Sequence, residues 1–311
     1  MIEILRPAPL MTVQDRGRIG LRHAGVSPSG PMDAPALALA NALVGNDPGA
    51  AGVEFAIGGA VLQAHAACRI AVTGGTFPLR IGGEARAPNQ SHRVMAGQRI
   101  EIGIGGDAAW GYLGVSGGVD APVVMGARAM HLRSGLGAPL AAGDELPLGP
   151  QVPGRTLAPF RPLPGRGEGP IRVVLGPQAD SFSAEVIAHF LSQPFTVSHE
   201  RDRMAMLLDG PSLPAAKGHD IVSDGTVAGS VQVPGSGRPL VLMAEGQTTG
   251  GYPKIATVIG ADLPRLAQVP TGRAVRFHAV PRAMAEALWV AHLDALARTL
   301  HPLKVTIARR G

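Results

Sequence analysis

Glu245-Gly246-Gln247-Thr248-Thr249-Gly250-Gly251-Tyr252-Pro253-Lys254 is a polar, glycine-rich stretch between two apolar ones, residues 238–244 before it and 255–260 after it. The flanks are short and rich in aliphatic side chains, and they read as buried strands. Between them, Gly250 and Gly251 permit backbone that a side chain would block, while Pro253 fixes φ and removes a donor. A polar, conformationally special loop between two core strands suits a ligand site. It equally suits a tight turn whose Thr248 and Thr249 hydroxyls satisfy local backbone groups. Both readings stand at this point.

The remaining composition favours the same β-rich plan. The 311 residues suit two domains of ordinary size. Hydrophobic residues make up 45% and charged ones 16%, enough for a sizeable core. With 43 glycines, 28 prolines and only 4% aromatics, the chain fits many short elements joined by tight turns, as in barrels and sandwiches. The net charge of +5 rests on arginine, because lysine occurs only at 217, 254 and 304. Arg172, Arg201, Arg203, Arg273 and Arg276 are scattered without interleaved aromatics. Most read as solvated or carboxylate-paired, and no nucleic-acid surface is expected. Cys68 is the sole cysteine, which rules out an internal disulfide or a thiolate metal cluster. Its apolar surroundings make it a small core residue. No apolar run reaches about 18 residues and the N-terminus has no leader-like segment, so a cytoplasmic protein with no membrane attachment is expected.

Residues 14–33 gather Gln14, Asp15, Arg16, Arg18, Arg22, His23, Ser27, Ser29 and Asp33 with almost no apolar periodicity. Such a loop must be held by specific hydrogen bonds or lie on a surface. Asp33 also suits an N-cap for a helix over 34–44, with Pro35 in its first turn and Gly45 after its end. From 53 to 116 the pattern is strand-like, with strands expected at 53–57, 60–64, 69–72, 98–102 and 110–115. A glycine turn before a strand recurs at Ala96-Gly97-Gln98, Ala142-Gly143-Asp144 and Thr271-Gly272-Arg273. It fits two related barrel-like halves, or turn chemistry alone. Residues 151–170, dense in proline and glycine, read as a linker between an N-terminal lobe (1–150) and a C-terminal lobe (171–311). Helices are expected at 181–191 and 282–300 and further strands at 195–198 and 229–233, with a new domain beginning at 171–177.

Motifs that would define other chemistries are missing. The sequence has no GxGxxG, GxxxxGK[ST], HxH or HExxH pattern, which excludes dinucleotide, P-loop and zinc-protease readings, and no metal site is expected. What remains is the two polar loops and Ser223-Asp224-Gly225-Thr226, which leads to Gln232. Lys254 adjoins the glycine-rich loop. It reads either as a cation for a carboxylate or phosphate, as a base of lowered pKa, or as a surface lysine at a strand start.

Several phrases carry a family resemblance: Gln14-Asp15-x-Gly17-Arg18-x-Gly20, Ser29-Gly30-Pro31-Met32-Asp33, Ala40-Asn41-x-Leu43-Val44-Gly45-Asn46 and, most specifically, Gln247 to Ala256. From about residue 5 to about 280 the chain resembles the KipA family, also called the 5-oxoprolinase C-subunit (PxpC), allophanate hydrolase subunit 2 or biotin-dependent carboxyltransferase-like. The resemblance implies a mainly β fold of two cyclophilin-like β-barrel lobes with a few helices. It implies an obligate KipI-like (PxpB) partner and, with a PxpA-like subunit, ATP-dependent opening of 5-oxoproline to glutamate. ATP would be used by the complex and not necessarily bound by this chain. A second implied role is half of a carboxyltransferase site acting on an amide, with carboxybiotin on a separate carrier. A third is non-catalytic regulation of a KipI-like protein.

On the leading reading, Lys254, Gln247, Thr248 and Thr249 hold a carboxylate or carbonyl of a small amide substrate, with Gly250, Gly251, Tyr252 and Gln232 around them. Asp15, His23 and Asp33 shape the opposing wall. Lys254, His23 and Asp33 are the catalytic candidates, with His23 the proton carrier near neutral pH. The chain departs from the family pattern at Ala127 and Ala129, which replace hydroxyls, and at Ala138 and Leu207, which replace arginines. Loss of two arginines weakens any anion clamp, because neither replacement offers bidentate recognition.

Overall fold

The computed structural model describes residues 1–152, 157, 158 and 162–308, with backbone only for 304–308. Residues 153–156 and 159–161 of the expected linker lie outside the described residues. The chain is mainly β, as expected. It divides into two compact units: Met1–Ile19, Ser29–Pro164 and Asp294–Gly311 form the first, and Gly20–Pro28 with Gly165–Leu293 form the second.

The first unit holds β1 (Ile2–Arg6), β2 (Thr12–Gln14), α1 (Ala34–Val44), β3 (Gly52–Ala56), β4 (Ala60–Ala64), β5 (Cys68–Thr73), β6 (Leu79–Ile81), β7 (Glu84–Arg86), β8 (Ser91–Val94), β9 (Arg99–Ile102), β10 (Trp110–Val115) and β11 (Glu145–Leu146). They form two sheets, ordered β11-β1-β4-β9-β6-β7 and β2-β3-β10-β5-β8. On β1 and β4 the side chains alternate, with Ile2, Ile4, Leu62 and Ala64 buried and their neighbours partly exposed. The inward residues of both sheets share one core that includes Phe55, Ile70, Phe77 and Ile100. β3 and β10 are buried at every position. Leu39, Leu43 and Val44 of α1 pack with Ala71 of β5, which gives the second sheet a covered outer face. α1 spans the expected residues. Asp33 accepts from Ala36 N at 3.2 Å and Gly45 closes the helix at φ +90°.

The second unit holds β12 (Ile171–Leu175), α2 (Ala184–Ser192), β13 (Phe195–Arg201), β14 (Ala205–Asp209), β15 (Asp224–Gly225), β16 (Ser230–Gln232), β17 (Leu240–Leu242), β18 (Thr249–Gly250), β19 (Lys254–Val258), α3 (Leu263–Gln268), β20 (Ala274–Val275), β21 (Phe277–Ala279) and the start of α4 (Arg282–Ala308). Eight strands run in the order β20-β13-β14-β17-β16-β19-β12-β21 as a nearly closed, barrel-like sheet, while β15 and β18 form a separate ribbon. Phe190 of α2 stacks on Phe277 at 4.7 Å and touches Phe195 at 5.9 Å, so three of the few aromatics meet under one helix. α2 begins later than the periodicity predicts because Ser183 accepts from Val186 N at 3.3 Å and caps it. α4 runs on past the expected end at 300.

The repeated glycine phrase is one repeated turn. Gly97, Gly143 and Gly272 take φ of +82°, +90° and +81°. Each donates its N–H to a neighbouring strand residue: Ala64 O at 2.7 Å, Ile4 O at 2.8 Å and Val197 O at 2.8 Å. A left-handed turn tied back to a strand demands glycine at that place in each case. Among the described residues, no helix is long and apolar enough to cross a membrane.

Candidate active site

The stretch from Glu245 is stitched along its length. Arg203 and Glu245 form an ion pair at 2.7 Å with side chains 2% exposed, and Glu245 N donates to Arg203 O at 2.8 Å. Thr226 donates its hydroxyl to Gln247 O, and its N–H to Thr248 O at 3.0 Å. Gly225 and Asp224 then pair with Thr249 and Gly250 as the β15–β18 ribbon. Ile221 N reaches Gly251 O at 2.8 Å and Val233 N reaches Pro253 O at 3.0 Å. The hydroxyl that satisfies this backbone is therefore that of Thr226. Arg22, from the 20–28 segment, donates to Thr226 O and braces the same point.

Lys254 opens β19, but it is not the surface lysine that a strand start allows. It is 2% exposed, and its Nζ donates to Asp224 Oδ2 at 2.8 Å. The Asp224 side chain is 49% exposed. Gln178 completes the arrangement, donating from Nε2 to Asp224 Oδ2 at 3.1 Å and accepting Lys254 N at 3.2 Å on Oε1. Hydrogen bonds from Lys254 and Gln178, then the Gly225 N–H and the ammonium charge, hold the Asp224 carboxyl at about 2. Gln232 is the direct cross-strand partner of Lys254. It is fully buried, its Oε1 accepts from Gln247 Nε2 at 3.1 Å, and its Nε2 has no partner. A Cβ on Gly250 would stand 2.4 Å from that Nε2, so only glycine lets the amide lie there. Thr249 and Tyr252 are exposed, and Thr248 and Gly251 half-buried.

The first unit places Asp15 and Asp33 differently. Asp15 accepts from Gly17 N at 2.9 Å, Arg128 N at 2.7 Å and Ala129 N at 3.2 Å. Buried Arg18 donates to Val124 O at 3.0 Å and to Ala129 O, and burial lowers its pKa against the raising effect of Asp15. Asp33 is fully buried at the head of α1, and its N–H donates to Tyr112 Oη at 2.7 Å. Burial, then the Glu54 and Asp33 carboxylates, push the Tyr112 phenol well above its usual range. Met32 N donates to Glu54 at 2.7 Å. His23 lies in the second unit, exposed in a single 3-10 turn over Arg22–Ala24. The structure thus brings together Lys254, Gln232, Gln247 and Gly250, and ties Asp15 and Asp33 to backbone of the first unit.

Ala127 and Ala129 are buried within the turn that Asp15 and Arg18 hold, and Ala138 is exposed. Leu207 lines a cavity of about 440 Å³ with His199, Asp202 and Leu240. A second cavity of about 420 Å³ is lined by Pro170, Arg265 and Arg276. Lys254 lines neither. Arg265 already serves Gly167 O and Pro170 O, and Arg276 serves Ser192 O. Among the described residues, no group of three His, Cys, Asp or Glu is placed to hold a metal.

Sequence reasoning did not single out Asp224 and Gln178 as site residues. Asp224 was visible as part of a polar segment, but its pairing with Lys254, 30 residues on, has no local signature. The Arg203–Glu245 pair spans 42 residues and agrees with the carboxylate-paired reading of Arg203.

Comparison with known proteins places this geometry among relatives. A family model described as "Carboxyltransferase domain, subdomain A and B" matches residues 24–279. The chain is 36% identical over 281 residues to the 5-oxoprolinase C-subunit of Escherichia coli (strain K12), covering 89% of this chain and 90% of that one. Identity to the 5-oxoprolinase C-subunit of Haemophilus influenzae is 35% over 284 residues, covering 90% and 91%. The crystal structure of the K. lactis urea amidolyase superposes with a TM-score of 0.86 at 26% identity, covering 96% of this chain and 20% of that protein. A further solved chain, 39% identical with a TM-score of 0.79, is matched over 89% of this chain and 55% of its own length, so this chain spans about half of it.

Proposed function

The chain belongs to the family of carboxyltransferase domains with subdomains A and B, and on that premise we propose that it is a subunit of a 5-oxoprolinase that hydrolyses the lactam of 5-oxoproline to glutamate with use of ATP. One observation carries the proposal: the match to the 5-oxoprolinase C-subunit is almost end to end on both sides, 89% of this chain and 90% of the relative. The site supports it. Hydrolysis of a lactam adds water to a carbonyl carbon and breaks the C–N bond, and charge builds on the carbonyl oxygen as it does so. Buried donors aimed at that oxygen lower the barrier. Lys254 Nζ and Gln232 Nε2 are such donors, and Gln247 orients Gln232. His23, exposed, is the candidate proton carrier.

ATP is assigned to the complex. Asp224 already neutralises Lys254, and phosphates placed there would meet that carboxylate. The nucleotide and the remaining chemistry therefore belong to a KipI-like (PxpB) and a PxpA-like subunit. The solved relative of about twice the matched length is consistent with this unit working beside further polypeptide.

The similarity to urea amidolyase favours a second reading, half of a site that transfers CO2 from carboxybiotin on a separate carrier to an amide. The experiment is co-expression with the KipI-like and PxpA-like subunits, followed by assay of ATP-dependent glutamate formation from 5-oxoproline. An assembled complex without turnover overturns the first reading. Carboxybiotin-dependent labelling of an amide establishes the second, and neither activity leaves the regulatory role.

A further inference from the structure

The second unit carries another cluster of charged groups, at the far end of β19 from Lys254. Lys254 opens that strand, and the residue after it, Ile259, donates its N–H to Arg172 O at 3.1 Å, so about 17 Å of extended chain separates the two places. At this end a cavity of about 290 Å³ is lined by Arg172, Asp262, Arg265, His278 and Glu168, all residues of the second unit. Arg172 and His278 are register partners on the parallel strands β12 and β21, so their side chains leave the same face of the sheet. Ile171, Val173 and Phe277 beside them are buried, which turns Arg172 and His278 away from the core.

Asp262 is buried, and it accepts from Arg172 N at 2.8 Å, Arg172 Nε at 2.9 Å, Arg172 Nη2 at 2.5 Å and Arg265 Nη2 at 3.1 Å. Two guanidinium groups thus share one carboxylate, and the trio keeps one positive charge. Arg172 turns its Nε and Nη2 edge to Asp262, which leaves the Nη1 and Nη2 edge to fork a second carboxylate. Arg265 gives its terminal N–H groups to Gly167 O, Gly169 O, Pro170 O and Asp262. Its Nε is buried with no acceptor among the described residues, a costly state for a charged group. His278, exposed, adds a ring nitrogen. These donors call for an acceptor with a single negative charge. A phosphate dianion exceeds the charge available and meets Glu168, whereas a carboxylate matches both the charge and the planar fork. Glu168, exposed on the wall, is in turn an acceptor for a cation.

We propose that this cavity binds a small α-amino acid, with its carboxylate on Arg172 and His278 and its ammonium on Glu168. The occupant would span from β12 and β21 to the glycine-rich segment 165–170, which Arg265 already ties down through three carbonyls. The site stands apart from Lys254 and is independent of whether the chain works in 5-oxoproline hydrolysis.

The test titrates the full chain, by ligand-observed NMR, with each common L-α-amino acid, with propionate (the carboxylate alone) and with inorganic phosphate. At least one amino acid should bind about tenfold or more tightly than propionate and than phosphate. Glu168→Gln and His278→Ala are changes at exposed positions that the fold tolerates. Glu168→Gln should bring the amino acid down to the affinity of propionate and leave propionate itself unchanged. His278→Ala should weaken both by about fivefold. Arg172→Lys keeps the charge and loses the fork, and it should weaken both by about tenfold. Lys254→Ala, at the other end of β19, should leave binding unchanged. The proposal is overturned if no amino acid binds, or if propionate or phosphate binds as tightly as the best of them. It is equally overturned if neither Glu168→Gln nor His278→Ala weakens binding, or if Lys254→Ala abolishes it, which would put the ligand at the other end of the strand.

Discussion

The two polar loops contain similar residues and do opposite things with them. Around 14–33, the carboxylate of Asp15 is consumed by three backbone N–H groups and Asp33 is spent on a helix cap. Around 245–254, Asp224 stays half exposed on a buried lysine and Gln232 keeps an unmatched donor. What distinguishes the two clusters here is what the carboxylate is bonded to: Asp15 accepts from three backbone N–H groups, whereas Asp224 accepts from a buried ammonium, a side-chain amide and one backbone N–H. An unsaturated buried cluster is tolerated where a ligand completes it.

Substitutions test that contrast. The largest effect is expected at the buried anchor of the second loop, where Arg203→Ala breaks the buried pair with Glu245 and should cost about 3–5 kcal/mol in chemical denaturation. A loss below about 1 kcal/mol would show that water reaches the pair. Lys254→Ala should lower turnover of the assembled complex by about 100-fold with the fold intact, and a near-wild-type rate would remove Lys254 from the reacting group. Asp33→Ala should cost about 0.5–2 kcal/mol in thermal unfolding, while Asp33→Asn, an equally good cap, should change little. A large drop in turnover for Asp33→Asn at unchanged stability would break the contrast and give Asp33 a catalytic part.

The smallest effect is in pH. The Asp224 carboxyl is lowered from 3.8 to about 2, so its contribution is complete above 3.8 and is lost as pH falls through about 2. Between pH 5 and 8 this pair should add no pH dependence, and carboxyl NMR should titrate near 2 in wild type and closer to 3.8 in Lys254→Ala. A wild-type midpoint near 3.8 would mean that the ion pair does not form in solution.

Much of the frame was legible because it is local. A cap, a proline in the first turn and a terminal glycine delimit α1, and alternation or continuous apolar runs mark β4 and β10. The position of Lys254 beside a special loop was legible too, but its burial was not. β15 and β18 are two residues each, too short for any periodicity, and they are what bring Asp224 to the lysine. The segment 238–244 shrinks to a strand over Leu240–Leu242 because β16 and β14 pair with it only there. Pairings between distant residues follow from the nearly closed sheet and the ribbon beside it, and a linear reading has no access to them.

The bond from Arg22 to Thr226 joins residues 204 positions apart in sequence, within one compact unit. The segment 20–28 is synthesised early and finds its place only after 165–293 has emerged, so this unit completes its folding late. The first unit has the converse arrangement, since it takes back Asp294–Gly311 at the end of the chain. A single cut at the proline-rich region would therefore release neither unit whole. Fragments divided there should misfold or aggregate when made separately and recover only when both are supplied together.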